Sequence, residues 1–261
     1  MPNWVKNKVK IEDNFDIIRK RLCGEENNGE YNEFDFNKIV PRPKTLNLTS
    51  GGNDIIAMQY AINKKTSQEK SEIEELLKTK KTPFSLYGNY YNKIYRRKET
   101  EEELEDTRSR FENKTLKGEE TDFEIIDYKS LGVESFEDLG NLYLNNIIQY
   151  GCDSWYDWCI KNWGTKWNSS NACIVDDNTY EFETAWSTPY EVLVALSKQY
   201  PNSEISVDYA DEDIGSNCGS YVLKNGELIN ESYGNYDFAL EVWGYSEEDK
   251  KEFYEDYREE N

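Results

Sequence analysis

Histidine is missing altogether from this chain of 261 residues. Its absence removes the Ser-His-Asp triad, the Cys-His nucleophile pair and the H-E-x-x-H zinc site, along with the commonest acid/base side chain. Cysteine is sparse and scattered. Cys23, Cys152, Cys159, Cys173 and Cys218 contain no C-x-x-C and no pair with zinc spacing. Cys152 and Cys159 stand at i,i+7, about 10 Å apart on a helix, beyond the reach of a disulfide. Free, structural thiols are therefore expected, as in a cytoplasmic protein. Phosphate loops are lacking too: Gly51-Gly52 is too short, and neither G-x-G-x-x-G nor G-x-x-x-x-G-K-[ST] occurs. No apolar run approaches the roughly 20 residues of a membrane span. Residues 1–6 lack the apolar stretch of a signal peptide. The expected location is the cytoplasm, with no membrane contact.

Cations are in deficit as well. Against 52 Asp+Glu stand 31 Lys+Arg, a formal charge of −21. Phosphate contacts need Lys or Arg to displace counterions, so direct nucleic-acid binding is not expected. Lys78-Thr79-Lys80-Lys81 and Arg96-Arg97-Lys98 are short basic patches flanked by acids. Such a surface is either a solvated face or one suited to a basic partner, such as a protein that itself binds nucleic acid.

Aromatic residues are what the chain has in plenty: 14% of it, with 20 Tyr and 7 Trp, against a hydrophobic total of only 37%. The core is therefore expected to be built from large rings, each burying much apolar area. Disorder is not expected for most of the chain, because disordered segments are poor in aromatics.

Periodicity divides the chain. Val5 to Ile11 alternates as a half-buried strand, and Asp13 or Asn14 begins a short helix bearing Phe15, Ile17, Ile18 and Leu22. Phe34, Phe36 and Ile39 alternate as a strand stopped by Pro41 and Pro43. Residues 49–160 read as a mainly helical insertion, with the charged stretch 98–120 either a solvated helix or a loop. Strands come next at 172–175 and 180–186, then a helix opened by Pro189, a strand at 205–209, and a hairpin turned at Asn225-Gly226. The expected organisation is a discontinuous α+β core, 1–48 and 161–230, around the 49–160 insertion, with an acidic tail at 231–261.

Particular residues carry a resemblance. Met1-Pro2-Asn3-Trp4 with Asn7, and Asn162-Trp163-Gly164-Thr165-Lys166-Trp167-Asn168 followed by Thr184-Ala185-Trp186-Ser187, resemble the YubB-like family of phages and plasmids, which has a ferredoxin-like domain. The likeness covers roughly residues 1–45 and 150–225. It implies an α+β fold: a ferredoxin-like antiparallel sheet with helices on one face, interrupted by the helical insertion. It also implies a mobile-element origin, and it implies no catalytic residues. Small acidic proteins from such elements often inhibit host defences, anti-CRISPR proteins among them.

Three functions fit these observations. The first is an inhibitor that binds a basic host protein or ribonucleoprotein, such as a CRISPR effector, by filling its nucleic-acid surface or locking it inactive. Its candidate contacts are Glu101, Glu102, Glu103, Glu105 and Asp106; Asp208, Asp211, Glu212 and Asp213; and Glu247, Glu248, Asp249, Glu255 and Asp256. Each set taken singly reads more readily as a solvated face. The second is a small-ligand or nucleotide module with an aromatic platform of Trp163, Trp167 and Trp186, residues that would otherwise lock the sheet onto the preceding helix. The third is a carboxylate enzyme, for which Asp153 and Asp157 stand at i,i+4. Asp208 to Asp213 near Gly215 lack EF-hand spacing, since position 222 is Val. The first reading is preferred, with no enzyme activity, cofactor or metal expected.

Overall fold

A computed structural model describes residues 3–25, 31–49, 51, 53–82, 86–117, 126–246 and 248–251. In chain order the elements are β1 (Trp4–Ile11), α1 (Phe15–Leu22), β2 (Gly24–Glu25), β3 (Tyr31–Asn32), α2 (Asn53–Asn63), α3 (Ser67–Thr79), α4 (Tyr90–Tyr95), α5 (Glu101–Asn113), α6 (Phe136–Tyr150), α7 (Trp155–Trp163), β4 (Ser170–Ile174), β5 (Thr179–Ala185), α8 (Tyr190–Gln199), β6 (Glu204–Asp211), β7 (Cys218–Lys224), β8 (Glu227–Tyr233) and α9 (Tyr236–Trp243). They form two units: Met1–Pro41 with Asn162–Asn261, and Arg42–Lys161.

The first unit rests on a six-stranded antiparallel sheet in the order β4-β5-β1-β6-β7-β8. Within it, β1, α1, β4, β5, α8 and β6 form a βαββαβ run with β1 between β5 and β6, the ferredoxin-like arrangement. Strand pleating sends Val5, Asn7, Val9 and Ile11 to one face, where all are fully buried. Ile18 and Leu22 of α1, with Val192, Leu193 and Leu196 of α8, supply the helical side of that core. Large rings fill it: Phe34 lies 4.7 Å from Phe182 and 4.9 Å from Tyr180, centroid to centroid.

Helices are not confined to one face. Ala239 and Val242 of α9 pack with Ala210 and Cys218. The Lys6 ammonium sits 5.0 Å from the Trp243 ring centroid, on the side of β1 opposite Val5. Residues 236–243 thus cover the second face of the sheet rather than belonging to a tail. The expected strand at Phe34 to Ile39 is likewise replaced by a turn. Asp35 accepts the Asn37 N–H at 2.9 Å and starts a short 3-10 helix, Phe36–Lys38, which leaves Phe34 and Phe36 both buried. Alternation of two buried rings arises there from a turn, not from a pleat. The Asn225-Gly226 hairpin forms as expected, with φ of 52° and 76°, the pair of positive values its tight turn demands.

The second unit is helical among its described residues. Its core gathers Met58, Tyr60 and Ile62 of α2 with Phe136, Tyr143 and Ile147 of α6. Gly140 permits this approach, since a Cβ there would meet the Ala57 carbonyl oxygen at 2.0 Å. The charged stretch after Lys98 forms α5 because Thr100 and Glu103 close a capping box at its start. Leu104, Thr107 and Phe111 give that helix its buried face.

Candidate partner-binding site

Two stretches of the sheet unit hold one another at one end of the sheet. Residues 162–168 run from the end of α7 toward β4, and residues 184–187 cover the last turn of β5 and the start of the loop into α8. Gly164 takes φ +76°, and a Cβ there would meet Glu191 Oε2 at 2.1 Å. Thr165 Oγ1 donates to the Ala185 carbonyl at 2.7 Å, and Ser187 Oγ donates to the Gly164 carbonyl. Asn168 accepts the Phe36 N–H and donates to Asp35 Oδ1, each at 2.8 Å. The small polar residues of the two stretches therefore serve the fold.

The large residues between them face outward. Trp186 is 40% exposed and holds φ +75°, a left-handed conformation that costs a bulky residue about 1–2 kcal/mol. Its N–H donates to the Asn3 carbonyl at 2.9 Å, and its carbonyl accepts from Asn217 Nδ2 at 3.1 Å. Lys166 Nζ lies 4.3 Å from the Trp167 ring centroid and 5.2 Å from that of Trp186, so one ammonium serves two indole faces. Trp4 adds a third indole, 5.8 Å from Trp167 and tilted 37° to it. The Trp4 N–H donates to Glu212 Oε1 at 3.1 Å, and the Glu212 N–H returns to the Trp4 carbonyl at 2.8 Å. Glu212 and Asp213 are both exposed. The sheet end thus combines indole faces and surface carboxylates, both of which attract cations, with an ammonium already seated on two of the indoles.

Residues 162–255 match the family described as "Ferredoxin-like domain in Api92-like protein". This segment is similar to the ferredoxin-like domain of Api92-like proteins. A crystal structure of protein api92 from Yersinia pseudotuberculosis is 14% identical over 90% of this chain and 99% of that one, with a TM-score of 0.41. No curated protein matches.

In the ferredoxin-like domain, Trp163 stands apart from the other two tryptophans of the expected platform. It is 1% exposed, donates Nε1–H to the Val40 carbonyl at 2.9 Å, and meets Phe36 edge-on at 5.7 Å. Trp163 belongs to the core, while Trp4, which sequence reasoning left out, joins the outward set. Asp211 is buried also. Its carboxylate accepts from Asn3 Nδ2 (3.2 Å), the Asp213 N–H (2.9 Å) and Asn217 Nδ2 (3.3 Å), so it ties loops together. Asp208 is exposed and lies across from Lys8 in the β1–β6 register; partial burial raises its pKa while Lys8 opposes. Glu248 and Asp249 are exposed. Asp249 caps its turn by accepting from the Ser246 hydroxyl and N–H, which lowers its pKa. Glu247, Glu255 and Asp256 lie outside the described residues.

In the helical unit, Glu101, Glu102, Glu105 and Asp106 are exposed on α5, whereas Glu103 is engaged by Thr100 and Arg97. The backbone N–H and hydroxyl of Thr100 hold the Glu103 pKa low. Sequence reasoning missed a buried charged group in this unit. Lys93 Nζ contacts Asp153, lies 3.7 Å from Asp157 Oδ2 and 3.9 Å from Asp54 Oδ2, and Tyr90 OH donates to Asp157 at 3.2 Å. The three carboxylates are almost wholly buried. Burial, then Asp153, lifts Asp54 to about 6 and raises Asp157 as well. Burial pulls the Lys93 pKa down, but Asp153 and Asp157 outweigh it and the net shift is upward. The i,i+4 pair was visible in the sequence; its cation, on a different helix far along the chain, gave no local signal. Among the described residues, no group of three or more Cys, Asp or Glu is placed to hold a metal ion, and no helix is long and apolar enough to cross a membrane.

Proposed function

We propose that this protein binds a basic host protein or ribonucleoprotein that handles nucleic acid and inhibits it, as anti-CRISPR proteins do. The docking end is the Trp4, Trp167 and Trp186 group with Glu212 and Asp213, and the wider charge of −21 steers the encounter. One observation carries the reading: the site already holds an ammonium, that of Lys166, over two indole faces. A lysine or arginine of the partner finds the same chemistry there, with carboxylates alongside. Tryptophans in such a place supply most of an interface's affinity. The mobile-element origin implied by the sequence resemblance gives the setting, and occupation of a basic nucleic-acid groove gives the mode of inhibition.

The test is capture from a bacterial lysate with the immobilised chain, followed by competition. A basic nucleic-acid-binding protein should be retained, released by salt, displaced by added nucleic acid, and lost with Trp186→Ala or with Glu212→Lys plus Asp213→Lys. Capture that survives all three substitutions would sink the assignment of this end of the sheet. Capture of no basic protein by the unaltered chain would sink the proposed function itself.

A further inference from the structure

The helical unit contains a cavity of about 610 Å³, a size typical of small-molecule sites. Its apolar wall is Ile55 and Ile56 of α2. Arg96 and Arg97 enter from the α4–α5 connection, and Arg110 enters from α5. The connection is fixed from beneath by the buried Gln59. Its Nε2 donates to the carbonyls of Ile94 (2.7 Å) and Arg97 (2.8 Å), and its Oε1 accepts the Glu99 N–H at 3.0 Å. Three exposed arginines thus line one open pocket in a chain otherwise dominated by acids.

The three are not equivalent. Arg97 is neutralised internally, 3.3 Å from Glu99 and hydrogen-bonded to Glu103. Arg96 donates one N–H to Tyr87 OH at 2.8 Å and lies over that ring, which orients its planar fork. Arg110 has no ion-pair partner among the described residues. Glu99 and Glu103 both lie on Arg97, so the lining as a whole has three acids against three arginines, and Asp106 is the one acid left beside Arg96 and Arg110. A carboxylate satisfies one guanidinium fork with its two oxygens, whereas a phosphate monoester, with three terminal oxygens and up to two charges, serves two forks from different elements. We infer that the cavity binds a small phosphate monoester with an apolar body, the phosphate on Arg96 and Arg110 and the body on Ile55 and Ile56.

Phenyl phosphate is the probe, titrated into the full chain by calorimetry and by thermal melting. Saturable binding is expected, weakened about tenfold or more (about 1.4 kcal/mol) by Arg110→Gln and by Arg96→Gln, and unchanged by Trp186→Ala in the other unit. Melts of the ligand-free variants show whether they are folded, and Arg110→Lys, which keeps the charge but loses the fork, should also bind more weakly. Absence of saturable binding to the unaltered chain overturns the site, as does equal binding by the Arg96→Gln/Arg110→Gln double variant. Benzoate binding as tightly as phenyl phosphate overturns the phosphate assignment, and inorganic phosphate doing so overturns the role of the apolar wall.

Discussion

Lys166 and Lys93 are the same side chain used in opposite ways. In the sheet unit, Lys166 lies half-buried across indole faces that solvent also reaches. In the helical unit, Lys93 is enclosed by Asp54, Asp153 and Asp157, with Tyr90 closing the network. The first ammonium rests on aromatic faces at a half-buried position. The second cannot leave, because three buried carboxylates would remain without a cation. Environment rather than residue type therefore separates the binding group from the structural one.

Removing each lysine gives the sharpest contrast. Lys93→Met should destabilise the protein by about 3–5 kcal/mol in urea melts, the range for breaking a buried ion pair from one side. Lys166→Met should cost no more than about 1 kcal/mol. Equal losses would end the comparison.

Acidity probes the buried group, with a smaller expected effect. Asp54, ordinarily near 3.8, is lifted to about 6 in the folded state. Folded protein thus holds this proton more tightly than unfolded protein. The resulting stability is complete below the ordinary value and is lost as pH rises through about 6. Going from about pH 7 to about pH 5 should therefore stabilise the protein by ~1 kcal/mol through this group. Asp54→Asn should flatten that part of the profile, measured as melting temperature against pH.

The smallest change in stability belongs to Trp186. Asparagine tolerates the left-handed conformation that this tryptophan occupies, so Trp186→Asn should leave the melting temperature unchanged or slightly raised while abolishing partner capture. A marked drop in melting temperature would mean that the ring serves packing instead.

Patterns with a local cause were readable in the sequence. Alternation at Val5 to Ile11 forms β1, and the Asn225-Gly226 pair forms its hairpin, because pleat and turn depend on near neighbours. The α+β class and ferredoxin-like domain arise from such elements and from the Asn162–Asn168 and Thr184–Ser187 stretches. What was not readable depends on which face of a locked loop turns outward. Trp163 and Trp167 stand four residues apart in one stretch, yet the first is core and the second half-buried. Trp4 joins the second only because β1 lies beside both β5 and β6. Phe34 and Phe36 mimic a strand because Asp35 makes a turn between two rings that both need burial.

The place of the helical unit within the chain has a kinetic consequence. β1 ends at Ile11, but its two neighbours begin at Thr179 and Glu204, beyond all of Arg42–Lys161. At the ~5–20 residues per second of protein synthesis, β1 emerges from the ribosome on the order of ten seconds before either neighbour exists. The helical unit, a continuous segment with its own core, can fold during that interval. β1 thus waits unpaired while the whole helical unit is made, and its unprotected edges in the meantime are where a folding catalyst or a misfolding partner would first take hold.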